Sequence, residues 1–457
     1  MRAAALYKTG TVLGFVTSRR ELHGLRFNIA NNFVDNAFVG SYNCLMNSPM
    51  LKRATGNWVV GDQFWDREVE LSLFIERLME GAHLLLTAPR RIGKTSLLKE
   101  AARRLEGRFL CLYVDLQKAE SASDAVVELS MAAQDYKPAW DRVLSVFQHV
   151  LKDTVEAVKI KDLSITLRGG LTADNWQSKG DQIFEVLADQ SQPVALFFDE
   201  VAILANRLLR GSDYTITNQR RQEVDAFLSW LRANCIRHQG KIRLVVTGSI
   251  GLEPLVRQAG LSATLNTFTP YHLAPWTREV AGGCLQALSH GHDLVLPRDA
   301  IEEMLDHLGV FIPHHVQMFF DHVYQQARMD GLQEVSVALV RAVYQQSMLG
   351  IRGHVELSHM EERLKMVLGP KLDYLALDLL TEAAVVGTLT AETGRVLAVG
   401  HLGDDWAASL RDVLAILEHD GYLRNRNGAY SFASTLLKDW WKARFQFAYI
   451  PAAERRQ

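Results

Sequence analysis

The chain has 457 residues, 48% of them apolar and 22% charged, with a formal net charge of -2. That length fits roughly two to four domains, and the near balance of charge excludes a protein that binds polyanions through a basic surface along its whole length. The four cysteines, Cys44, Cys111, Cys235 and Cys284, are far apart and form no CxxC pair, which argues against a zinc site or a disulfide framework and for a reducing, cytoplasmic setting.

Residues 1–55 form a poorly defined N-terminal extension in which "NIANNFVDNAFVGSYNCLMNSPM" shows neither helical nor strand period and basic residues outnumber acidic ones. It reads either as a basic arm or as a leader ahead of a start at Met46 or Met50. "AAALYKTGTVLGFV" is interrupted by Lys8 and lacks a cleavage signature, and no apolar run approaches the ~18 residues of a membrane span, so neither export nor a membrane is expected. From residue 56 to 275 helices and short apolar runs alternate. Leu71, Phe74, Ile75 and Leu78 recur at helical spacing, His83 to Thr87 is a short apolar run, and Leu97, Leu98, Ala101, Ala102 and Leu105 return to helical spacing.

Further runs at "RFLCLYVDL", "PVALFFDE" and "KIRLVVTGS" predict a parallel sheet buried on both faces, the core of an α/β nucleotide-binding domain. "KIKDLSITLRGGLTADNW" alternates around Gly169 and Gly170 and predicts an inserted β-ribbon. Residues 276–368 read as an all-helical lid. Residues 369–457, beginning at Gly369-Pro370, read as three helical segments, a hairpin around Asn427-Gly428 and the amphipathic "TLLKDWWKARF", the pattern of a winged helix-turn-helix. Trp440 and Trp441 are expected to anchor that last helix in a core.

The chemistry is concentrated at "TAPRRIGKTS". It follows a predicted strand and opens a helix, the context required of the phosphate-binding pattern G-x-x-x-x-G-K-[ST]. Ala88 stands where that pattern has its first glycine; a methyl group is the smallest available departure. Gly93 lets the backbone curl so that N–H groups face phosphate oxygens at the positive end of the helix. Lys94 would reach the β- and γ-phosphates and Thr95 would ligate Mg2+.

"PVALFFDE" ends in Asp199, placed for the metal's water shell, and Glu200, placed beside an attacking water as general base. Thr247 and Ser249 of "LVVTGS" offer hydroxyls to the γ-phosphate or the lytic water, although with Gly248 and Gly251 they would equally suit a plain turn. No NKxD-type guanine motif occurs, so ATP is favoured over GTP. The histidines, including His290, His292, His314 and His315, lack a metal-ligand set and read as ordinary lid residues.

Through "FWDRE", "LLLTAPRRIGKTSL", "FFDE", "FLSWLR", "VVTGSIGL", "IPHHVQ" and "DGYLRNRNGAYSFASTLLKDWW", residues 57 to 447 resemble the archaeal-type ATPase family in the STAND branch of P-loop NTPases. The resemblance implies a slow, Mg2+-dependent ATPase acting as a conformational switch, with self-association in the ATP state. It implies that Phe64 and Arg67 lie near the adenine, and that the loop of Ala88, Pro89, Arg90, Arg91, Ile92, Gly93, Lys94, Thr95 and Ser96 wraps the phosphates. Asp199 and Glu200 would serve metal and water, Ser249 would sense the γ-phosphate, and Pro313 would lie against the base.

Many relatives carry an arginine at the position of Asn266. Here Arg257 and Arg278 are the nearby substitutes, and of Arg90 and Arg91 one is expected to face solvent. Two other classes stay open. One is an ATP-gated nucleic-acid-binding regulator that uses Arg424 and Arg426 of the wing. Against it, residues 371–457 hold ten Lys and Arg but eleven Asp and Glu, and Asp404, Asp405, Asp412, Glu418 and Asp420 surround Arg411 in the would-be recognition helix. The other is a scaffold that holds nucleotide without turnover.

Overall fold

A computed structural model describes residues 50–148 and 160–455. The alternatives drawn for residues 1–49 lie outside the described residues. The described residues belong to one compact unit. Leu51 is buried and Arg53 pairs with Asp321.

The sheet has five parallel strands, β1 (His83–Thr87), β2 (Leu110–Asp115), β3 (Val194–Asp199), β4 (Ile242–Thr247) and β5 (Phe268–His272), in the order β2-β3-β4-β1-β5. The pleat sends alternate side chains to opposite faces. Leu84, Leu86, Ala195, Phe197 and Val245 enter one apolar core, while Leu85, Leu196, Phe198, Leu244 and Val246 enter the other. Helices α1 (Glu68–Glu80) and α2 (Lys94–Arg104) cover the first face through Leu71, Phe74, Leu97 and Leu98.

The second face is covered by α3 (Ala122–Ala132), α6 (Trp176–Ala188), α7 (Val201–Arg210) and α8 (Asn218–Arg237), with α4 (Lys137–Ser145) and α5 (Ile160–Gly169) between α3 and α6 in sequence. The four strands read as apolar runs are all present. The fifth, "FTPYH", carries Pro270, which is tolerated because β5 is an edge strand paired only with β1.

Among the described residues the inserted β-ribbon is not formed: residues 160–169 are the helix α5, and a short irregular stretch then leads into α6. Leu163 and Leu167, four apart, pack inward, whereas Ile165, whose alternation with them suggested a strand, is 69% exposed.

After α9 (Leu252–Ala259) and β5 the chain is helical through α10 (Arg278–Gly291), α11 (Arg298–Leu308), α12 (Pro313–Met329) and α13 (Val337–Val343). The long α14 (Ile351–Val385) breaks at Gly369, where the backbone turns non-helical (φ 74°, ψ 169°) ahead of Pro370. There follow α15 (Ala391–Leu402), α16 (Trp406–His419), an antiparallel hairpin of β6 (Leu423–Arg426) and β7 (Ala429–Phe432), and α17 (Thr435–Phe445). Asn427 and Gly428 both take positive φ, 54° and 85°, as a two-residue hairpin turn requires. Trp440 and Trp441 are buried, and Trp441 Nε1 donates to Thr381 Oγ1 at 3.1 Å.

Candidate phosphate-binding site

Because β4 lies between β1 and β3, the C-terminal ends of all three strands open at one place, and the residues that follow each strand meet there. The cleft at that point has a volume of about 430 Å³, within the ~300–1,000 Å³ of small-molecule sites. Lys94, Thr95, Ser96, Gly93, Arg90 and Arg91 line it from the loop after β1, Asp199 and Glu200 from β3, Ser249 from β4, and Pro313 from α12.

The loop is formed by two left-handed residues, Arg91 (φ 62°) and Gly93 (φ 98°), which turn the chain into α2. At Gly93 a side chain would be strained whatever the space around it. Lys94 folds back over the loop and its Nζ donates to the carbonyls of Ala88 (3.2 Å) and Pro89 (3.3 Å). Burial pulls its amine down to about 8, Arg363 adds to the depression, and Glu200 and Asp199 oppose it.

Asp199 is held on every side. Thr247 Oγ1 donates to its Oδ1 at 2.5 Å, as does the Glu200 N–H at 3.0 Å, while the Tyr113 hydroxyl donates to Oδ2. Thr95 Oγ1 lies 3.5 Å from the same Oδ2. Glu200 is in the left-handed region (φ 61°, ψ 29°), an unusual conformation for a side-chain-bearing residue and one associated with functional sites. Its Oε2 accepts from both the N–H and the hydroxyl of Ser249, each at 2.8 Å.

Several expected residues stand elsewhere. Arg67 is 3% exposed and outside the cleft: its Nη2 donates to the carbonyls of Ile92 (3.3 Å) and Ala274 (3.1 Å), so it braces the loop from beneath. Phe64 packs on the smaller core and does not line the cleft either. Ile92 is buried in that same core, and Ala88 and Pro89 contribute the carbonyls that hold Lys94. Neither Arg90 nor Arg91 faces solvent: both are half-buried and line the cleft. Arg278 is engaged by Glu302 (2.6 Å) and Asp306 (2.7 Å), and neither it nor Arg257 lines the cleft.

No family model matches the chain, and no curated protein does. Among solved structures, a Walker-type ATPase of Pyrococcus abyssi aligns with 84% of this chain and 98% of its own at 16% identity and a TM-score of 0.52. The fold is that of a P-loop NTPase. Lower likenesses are to the ORC2 protein of Aeropyrum pernix in ADPNP-ADP complexes (14% identity, 83% of this chain and 93% of that one, TM-score 0.46) and to the RuvB Holliday junction branch migration motor of Thermotoga maritima (13%, 81% and 93%, 0.39).

Four residues at or beside this cleft had no site role assigned from the sequence. Trp58 lines the cleft mouth and is 52% exposed, its ring 5.3 Å from Lys99 Nζ, and the segment that carries it is pinned where the Val59 N–H donates to Ser96 Oγ at 3.1 Å. Tyr113 is the Asp199 partner from β2; burial and that carboxylate push its hydroxyl pKa upward. His314, read as an ordinary lid residue, hydrogen-bonds Arg91 inside the cleft, and burial pulls its imidazole down to about 3, so it is neutral. Gln317, one turn on from Pro313, lines the same wall and accepts from the Ala54 N–H at 2.8 Å.

The C-terminal module touches this site. The Gly251 N–H donates to Asp420 Oδ1 at 3.1 Å, and His419 donates to Asp420 (3.2 Å) and Glu253 (3.1 Å). A side chain at Gly251 would stand only 2.6 Å from the His419 ring, so the close approach requires glycine. Gly421 lies against Pro89 of the loop.

Proposed function

We propose that this protein binds ATP with Mg2+ in the cleft above β1, β3 and β4, hydrolyses it slowly to ADP and phosphate, and uses the cycle to change how its C-terminal module sits on the nucleotide site. The observation that carries the reading is the meeting of Lys94, Thr95, Asp199, Glu200 and Ser249, from three separate strand ends, in one cleft. Lys94 would leave the Ala88 and Pro89 carbonyls for the β- and γ-phosphates, which are stronger, charged acceptors. Glu200, held by Ser249, would orient and deprotonate the attacking water.

Thr95 and Asp199 fit Mg2+, which takes few protein oxygens and keeps its remaining places for water and phosphate. Bound there, Mg2+ would neutralise charge on the β- and γ-phosphates. Pro313 and Trp58 would flank the base in place of Phe64 and Arg67. The C-terminal module serves as a winged helix that packs on the nucleotide domain, consistent with its acidic α16 and with the Asp420, His419 and Gly421 contacts. In this reading, loss of the γ-phosphate loosens Ser249, and the strain passes through Gly251 to Asp420.

A melting series tests the reading. ATP at 100 times its Kd should stabilise the wild type by about 2.7 kcal/mol, with GTP weaker. Curves unmoved by ATP and ADP alike would sink it. In the same assay Trp58→Ala should weaken ATP at least about fivefold, since an aromatic contact is worth about 1 kcal/mol or more, and the tryptophan emission change on ATP addition should vanish with it.

The docking of the C-terminal module carries a pH signature. Burial disfavours the His419 cation, but its hydrogen bonds to Asp420 and Glu253 outweigh that and raise it to about 9. A folded value above the unfolded one means the contribution is complete below about pH 6.5 and is lost as pH climbs through about 9. Limited proteolysis between α14 and α16 should therefore speed up from pH 6.5 to 9.5 in the wild type. A His419→Gln variant should show no such change; an equal change in both would remove His419 from the docking.

A further inference from the structure

Arg363, on α14, is an anomaly of charge. It is 5% exposed, and among the described residues neither its Nε nor its Nη2 finds a hydrogen-bond partner. The nearest carboxylate oxygen, Asp420 Oδ2, is 4.0 Å from Nε, the outer limit of an ion pair. The other Asp420 oxygen is already taken by the Gly251 N–H and by His419. A buried guanidinium left in this state is costly unless an anion arrives to meet it.

The surroundings say which anion. Asp420, the neighbour of Arg363, bounds one cavity with Pro89 and Arg90 of the loop, Gly421 lies against Pro89, and Arg363 lowers the pKa of both Lys94 and Arg90. The carboxylates that offset these cations, Asp199, Glu200 and Asp420, are outnumbered by Lys94, Arg90, Arg91 and Arg363. A second cavity of about 170 Å³, bounded by Pro89, Arg90, Met360 and Asp420, lies beside this cluster. Two buried cations, Lys94 and Arg363, and the half-buried Arg90 at one loop suit a polyanion such as a polyphosphate.

We infer that Arg363 is the arginine that engages the outermost phosphate of bound ATP, exchanging its loose pairing with Asp420 for a charge-assisted contact to the nucleotide. The inference rests on the ATP reading of the cleft. It assigns to α14 the cation that Asn266, Arg257 and Arg278 do not supply, and it ties the presence of the γ-phosphate to the Asp420 contact through a single side chain.

The test compares ATP and ADP affinities by calorimetry, with turnover, in wild type, Arg363→Gln, Arg363→Lys and Asp420→Asn, each checked by melting. Arg363→Gln should lose about tenfold or more in ATP affinity while ADP stays within about twofold, with turnover down on the order of a thousandfold and Arg363→Lys in between. Asp420→Asn, which removes the competing carboxylate, should raise the preference for ATP over ADP, and it decides the matter if Arg363→Gln fails to fold. An unchanged ATP-to-ADP ratio in these variants, or equal weakening of both nucleotides, overturns the assignment while leaving the ATPase reading intact. A wild type that binds neither nucleotide overturns both.

Discussion

Glu200→Gln should lower ATP turnover about 10²- to 10⁴-fold and leave ATP affinity within a few fold. The split follows from the geometry. The carboxylate is fixed by two 2.8 Å bonds from Ser249 to one of its oxygens, and an amide oxygen can accept both. What the amide cannot do is take a proton from water, so the chemical step alone is lost. The left-handed backbone at Glu200 is unaffected, because the substitution leaves φ and the neighbouring Asp199 contact as they are. Equilibrium binding and single-turnover hydrolysis on the same preparation would separate the two effects. A variant that binds weakly and turns over at the wild-type rate per bound ATP would place Glu200 in binding.

The second large effect concerns Lys94. Its amine is buried and donates to two carbonyls, and its pKa falls from the 10.5 of an exposed lysine to about 8. A folded value below the unfolded one means that the unfolded chain binds more protons between about pH 8 and 10.5, so the stability of the unliganded protein should rise with pH across that window. Lys94→Met should abolish this rise. It should also weaken ATP by about 3 kcal/mol or more, over a hundredfold, through loss of charged contacts to two phosphates, so that ATP no longer shifts the melting curve. A variant that keeps the ATP shift would remove Lys94 from the phosphates.

How much of this was legible in the sequence follows from how local each feature is. The loop from Ala88 to Ser96 is contiguous, and β1, β3 and β4 are apolar runs long enough to declare themselves, so Lys94, Thr95, Asp199, Glu200 and Ser249 could be named together. β5 could not be read, because Pro270 and a short, mixed composition hide an edge strand that only its pairing with β1 reveals. The false β-ribbon arose from Ile165, an exposed apolar residue that broke the helical period of Leu163 and Leu167.

The misplacement of Arg67 has a similar origin. "FWDRE" sits beside the loop in space, but the left-handed turn at Arg67 (φ 71°) sends its side chain beneath the loop toward Ile92 and Ala274. Trp58, Tyr113 and His314 come from three distant segments, and the fold brings Trp58 and His314 to the cleft and Tyr113 to Asp199.

The most direct test of the central claim is steady-state release of phosphate from ATP by the purified wild-type protein, with Mg2+ and with Mg2+ chelated, beside Lys94→Ala and Glu200→Gln. Slow turnover that requires Mg2+ and disappears in both variants is the predicted result. Tight ATP binding without release of phosphate under any condition would contradict it and leave a nucleotide-holding scaffold in place of an enzyme.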